Sequence, residues 1–245
     1  MDTLSQKNLS TVSDESEKIT SNRTESSKRI NQLIVMAMFS ALAYVVTFAC
    51  KAIPITVAGI LQFDAKDVLI AISGFIYGPL SALIVSVIVA LMEMFTYSQT
   101  GLIGFLMNVI STAMFACVAA FVYKKMRTMR GAVLGLVLGC IAMTASMLIW
   151  NYIVDPLFYG MPREAVFSML WSIFLPFNLI KSAINTALCL VLYKPVVTAL
   201  RKAKVVECYG ESKCDTPRIS MGLIIVIAFL LFTGIFGLLA MAGIL

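Results

Sequence analysis

Asn178 and Lys181 stand three residues apart inside an otherwise apolar run, Pro176-Phe177-Asn178-Leu179-Ile180-Lys181. If the run is helical, that spacing puts both side chains on one face. A carboxamide and an ammonium on one face can bind a polar, planar heterocycle bearing carbonyl oxygens and ring nitrogens. The competing reading is a lysine that snorkels to the membrane surface. Lys181 is about nine residues inside its span, roughly 13 Å at 1.5 Å per residue, which makes snorkelling awkward. Glu93, near the end of another apolar run, is a candidate ligand contact or the counter-ion of Lys181. Asn151 sits between Trp150 and Tyr152. Two such aromatics belong to an interfacial belt or pack against a flat ligand, with Asn151 supplying hydrogen bonds and Tyr152 a ring face. Asn108 is a further polar candidate, equally well explained by a hydrogen bond between helices. Ionisable residues in such runs are costly and mark function by default.

The elements that must position these residues are membrane helices. The chain has 245 residues, is 60% hydrophobic and only 13% charged. Its mean hydropathy is +0.93. A soluble domain averages about 25% charged residues. A soluble fold could not hide this much apolar surface, whereas about 20 apolar residues cross a bilayer as a helix. The runs are too long for barrel strands and do not alternate. The expected fold is therefore all-α and polytopic.

Breakers between the runs place spans at 30–49, 67–77, 80–95, 101–123, 131–154, 172–193 and 219–245. The second is short for a full crossing. An interfacial helix is expected at 166–171, after a loop over 155–165. The expected organisation is a disordered cytoplasmic tail over 1–29, a six-helix domain over 30–196, a charged cytoplasmic linker over 197–218 and a seventh helix over 219–245. The tail is polar and poor in aromatics, so it cannot bury a core. It is not a signal peptide, because the apolar run comes too late and is too long.

Orientation follows from the basic residues. Five lie in the tail, four between spans 4 and 5 and six over 194–218, whereas the opposite side receives Lys51, Lys66 and Arg163. This bias places the N-terminus in the cytoplasm and the stronger polar candidates toward the outside. Small residues mark the other half: Ala37 and Ala41 in span 1, and Gly131, Gly135 and Gly139 in span 5. Such faces permit close helix approach, within the molecule or with a partner.

Several chemistries are excluded. With no histidine, the commonest general base and metal ligand is missing. No P-loop, zinc-protease or nucleophile-elbow motif occurs. Cys50, Cys117, Cys140 and Cys189 read as small hydrophobes, and Cys208 and Cys214 as free cytoplasmic thiols. The +6 net charge reads as topology, not as nucleic-acid binding. No catalytic residue, metal site or cofactor is expected. What remains is a small-molecule binder opening outward, without an energy source of its own.

Five segments taken in order resemble a known family. They are Ala37-Met38-Phe39-Ser40-Ala41, Gln62-Phe63-Asp64-Ala65-Lys66-Asp67, Tyr77-Gly78-Pro79-Leu80, the stretch from Asn151-Tyr152 to Pro156-Leu157-Phe158-Tyr159, and the Asn178/Lys181 segment. From about Ile34 to Lys194 the chain resembles the riboflavin-specific (RibU-type) S components of energy-coupling factor (ECF) transporters. The resemblance implies six helices holding one vitamin near the outer surface of a bacterial plasma membrane. It implies riboflavin as transported ligand, hydrogen-bonded by Asn151, Asn178 and Lys181. The loop over 54–59, with Thr56, would cover it. It implies as partners a transmembrane coupling subunit, touched through Ala37 and Ala41, and two cytoplasmic ATPases. Transport in the family is thought to involve toppling of the S component. The tail and the seventh span depart from the pattern. The alternatives are an S component for pantothenate or thiamine, or a membrane-embedded enzyme or assembly factor.

Overall fold

A computed structural model describes residues 2–52, 56–57, 61–96, 98, 100–202 and 221–241. Helix α1 (Asp2–Ala52) begins the chain. The segment expected to be disordered, 1–29, is helical from Asp2, as the N-terminal extension of the first span. The reason is local. No glycine or proline occurs before Pro54. Extending an existing helix avoids the cost of nucleation. A 3.9 Å ion pair between Glu25 and Arg29, one turn apart, lies along it.

After α1 comes an antiparallel pair of two-residue strands, β1 (Thr56–Val57) and β2 (Leu61–Gln62), with Thr56 opposite Gln62. Pro54 and Gly59 of the expected lid lie outside the described residues. Helix α2 (Lys66–Tyr77) is about 18 Å long at 1.5 Å per residue, too short to cross a bilayer alone. It ends at Gly78, whose φ of 99° favours glycine. Pro79 then opens α3 (Pro79–Thr96) at a position where its missing N–H costs nothing.

Helix α4 (Gly101–Met126) stops at left-handed Arg127. Helix α5 (Met129–Phe158) is capped by the Thr128 hydroxyl, which accepts from the Gly131 N–H at 3.1 Å. It continues through Pro156, four residues beyond the expected end of span 5. The interfacial helix and sixth span are likewise one continuous piece: α6 (Arg163–Met169), a π turn (Leu170–Phe174) and α7 (Leu175–Lys202). Pro176 cannot donate to the carbonyl one turn back, and the helix absorbs the defect as the π turn. Among the described residues, five helical stretches are long and apolar enough to span a membrane: Glu25–Lys51, Pro79–Thr96, Gly101–Met126, Met129–Phe158 and Arg163–Ala199.

The last helix, α8 (Met221–Met241), packs on α7. A β-carbon on Gly234 would lie 2.6 Å from Ile184, and one on Gly237 3.0 Å from Ile180. This close approach makes α8 part of the bundle. Cys208, Cys214 and most of the charged linker lie outside the described residues.

The apolar core forms two clusters, the larger with Phe39, Ile70, Phe115, Leu136 and Met143 fully buried and a smaller one around Phe174, Phe177 and Ile184. The small-residue face of α5 is spent inside the molecule. A β-carbon on Gly135 would lie 2.6 Å from the Ala119 carbonyl oxygen, and one on Gly139 2.5 Å from that of Phe115. Gly139→Leu is therefore expected to lower the melting temperature in detergent, at a cost of about 1–3 kcal/mol from overpacking. An unchanged melting curve would contradict this packing.

Candidate ligand-binding site

The polar candidates gather at the end of the bundle where α1 connects to α2. Asn178 and Lys181 are both buried on α7, as their spacing requires. Their elements explain how. The π turn and Pro176 loosen the backbone just before them, and Asn178 Nδ2 donates to the Phe174 carbonyl at 2.8 Å. Lys181 does not snorkel. Its ammonium donates to Asp64 Oδ2 at 3.1 Å, and the two side chains are 9% and 13% exposed. Asp64 arrives from the short link between β2 and α2, 117 residues away in sequence. Burial works to raise the Asp64 pKa, but the ammonium groups of Lys181 and then Lys66 outweigh it and hold the carboxyl below its usual range.

Glu93 is not the counter-ion of Lys181. Both its carboxylate oxygens accept from Lys66 Nζ at 2.7 Å, with the side chains 3% exposed. Asn108 Nδ2 donates to Glu93 Oε2 at 2.9 Å. Glu93 and Asn108 thus serve a buried bridge between α2, α3 and α4. Beneath it, Asp67 is fully buried, accepting from the Thr112 hydroxyl at 2.7 Å and from Asn185 Nδ2 at 3.2 Å.

Asn151 is buried near the end of α5, and its Nδ2 has no partner among the described residues. A buried donor left unpaired is uncommon and calls for an explanation. The aromatic sandwich around it does not form. Trp150 packs against the core, whereas Tyr152 is 44% exposed and faces outward. Consecutive helix residues point about 100° apart, so neighbours in sequence cannot clasp one ligand. Tyr152 has the placement of an interfacial aromatic. Thr56 stands in β1 beside this end of the bundle.

In the sequence Asp64, Lys66 and Asp67 mark no site by themselves, and Lys66 reads as an outer-loop charge. The available signal was their density, three charges within four residues directly ahead of an apolar helix.

Ala37 and Ala41 are exposed on α1, with Leu33, Ile34, Met38 and Leu42. Val35, Phe39 and Ala43 of the same helix point into the core. This small-residue face is left open to the membrane, unlike the glycine face of α5.

The family model described as ECF transporter, substrate-specific component, matches residues 31–193. The chain belongs to this family. The match includes every polar residue of the site and stops short of α8. Within the family, this S component is 28% identical over 181 residues to the riboflavin transporter RibU of Staphylococcus aureus, covering 70% of this chain and 93% of that one. It is 29% identical over 189 residues to the riboflavin transporter FmnP of Bacillus subtilis, covering 72% and 99%. A solved S component of a bacterial ECF transporter superposes with a TM-score of 0.61 at 29% identity, covering 71% of this chain and 99% of that one. The S component is thus a multi-pass membrane protein of a transporter family and not an enzyme.

Proposed function

We propose that this S component captures riboflavin from outside a bacterial plasma membrane for ATP-driven uptake. One observation carries the reading. Lys181, Asn178 and the Asn151 amide, which has no partner among the described residues, gather buried hydrogen-bond donors at one end of the bundle, in a chain related to riboflavin transporters. Flavin carbonyls and ring nitrogens are acceptors for such donors. The Lys181–Asp64 pair is neutral in sum, which suits an uncharged heterocycle better than anionic pantothenate or cationic thiamine. The purified protein is expected to quench riboflavin fluorescence at submicromolar concentration, with a thermal shift. Absence of both overturns the reading.

The coupling subunit and the two ATPases are its partners on this reading, the N-terminus is cytoplasmic, and the first outer loop with Thr56 covers the ligand. The bias of basic residues and the open face at Ala37 and Ala41 support this arrangement. Ala41→Trp is expected to leave riboflavin binding intact and to cut cellular uptake by at least about tenfold, equivalent to about 1.4 kcal/mol of docking energy. Unimpaired uptake refutes this placement. Any toppling must carry α8 with the bundle, because α8 is seated on α7 through Gly234 and Gly237.

A further inference from the structure

Among the described residues, the buried side-chain atoms without a partner at the α1–α2 end include Asn151 Nδ2, a donor, and Asp64 Oδ1, an acceptor. The second is the more telling. A carboxylate oxygen left unpaired in a water-poor site is among the costlier defects a fold can carry. Its twin, Oδ2, is engaged by Lys181. The pair therefore presents an ammonium donor directly beside an open carboxylate acceptor. The complement of that pattern is a ligand edge with a carbonyl oxygen next to a ring N–H, the edge of a cyclic imide.

We propose that Asp64 is a specificity-determining residue of the ligand site. Its Oδ1 accepts a hydrogen bond from the imide N–H of the ligand while Lys181 donates to the adjacent carbonyl. This rests on the riboflavin reading above, since the pyrimidinedione ring of a flavin carries such an edge at N3–H. Asp64 thereby has two jobs. It neutralises and orients Lys181, and it offers the imide N–H a charged acceptor, which the Lys181 ammonium cannot supply. A site built to pair a polar group rejects an analogue that lacks it, because the protein group is then stranded. Asp64 belongs to the chain directly after β2. Ligand contact at Asp64 therefore also ties the α1–α2 connection to the occupied site.

The test compares riboflavin with 3-methylriboflavin on the purified full chain and on Asp64→Asn. The unaltered protein is expected to prefer riboflavin by at least about tenfold, the loss of one hydrogen bond to a charged acceptor. In Asp64→Asn the side-chain oxygen turns to Lys181 and sets an NH2 group against the ligand N–H. Riboflavin then weakens more than the methyl analogue, and the preference collapses. If Asp64→Asn weakens both ligands by the same factor, or the unaltered protein binds both equally, Asp64 only holds Lys181 and the proposal is overturned, while the riboflavin reading stands. If the unaltered protein binds neither ligand, the riboflavin reading itself fails. A second measurement needs no variant: riboflavin labelled with 15N at N3, bound to the unaltered protein, should show a downfield imide proton protected from exchange. A freely exchanging imide proton overturns the proposal.

Discussion

Lys181→Met is expected to abolish high-affinity riboflavin binding and to lower the melting temperature of the unliganded protein. The two effects have one origin. The ammonium is a ligand donor and also the direct partner of Asp64, and both side chains are buried. Removing one member of such a pair strands the other charge, at a cost of about 3–5 kcal/mol. The binding loss should be of similar size, about 2–5 kcal/mol. The double variant Lys181→Met/Asp64→Asn separates the two effects. It removes both charges together, so stability should return while binding stays lost. Titration and thermal unfolding of the unaltered protein, the two single variants and the double variant form a double-mutant cycle. A Lys181→Met protein that binds riboflavin normally would remove Lys181 from the site.

Lys66→Met is expected to produce an equally large loss of stability by a different route. Lys66 donates to both oxygens of Glu93, which Asn108 also engages, and all of this lies between packed helices. Without the lysine, Glu93 is a buried charge that has lost its direct ion pair and keeps the Asn108 amide and the field of Lys51, costing about 3–5 kcal/mol. Lys66→Met/Glu93→Gln should recover most of it and still bind riboflavin, since the bridge is structural. Thermal unfolding and fluorescence titration of the single and double variants check this. If the double variant folds but has lost riboflavin, Glu93 touches the ligand after all.

The seven apolar runs, the bias of basic residues and the rare polar residues within the runs were legible along the chain. Each depends on a free energy set residue by residue: the transfer of a side chain or a backbone turn into hydrocarbon. Against that apolar background Asn151, Asn178, Lys181 and Glu93 stand out without any knowledge of neighbours. The short α2 was visible for the same reason, and the ordered motifs were enough to indicate the family.

Partners were not legible. Lys181 meets Asp64 and Asn185 meets Asp67 across more than a hundred residues, and Lys66 meets Glu93 across two helices. Charges ahead of an apolar run look topological, whereas the fold buries Lys66 and Asp67 at 2% and 0% exposure. Nor could spacing tell the glycines of α5, spent against α4, from the alanines of α1, left open. The sequence by itself determined that this protein spans a membrane, and which polar residues it carries there. Only the tertiary structure decided which charge answers which. Hydropathy is a sum over single residues, whereas a buried charge is tolerated only through partners that the helix packing brings within about 3 Å.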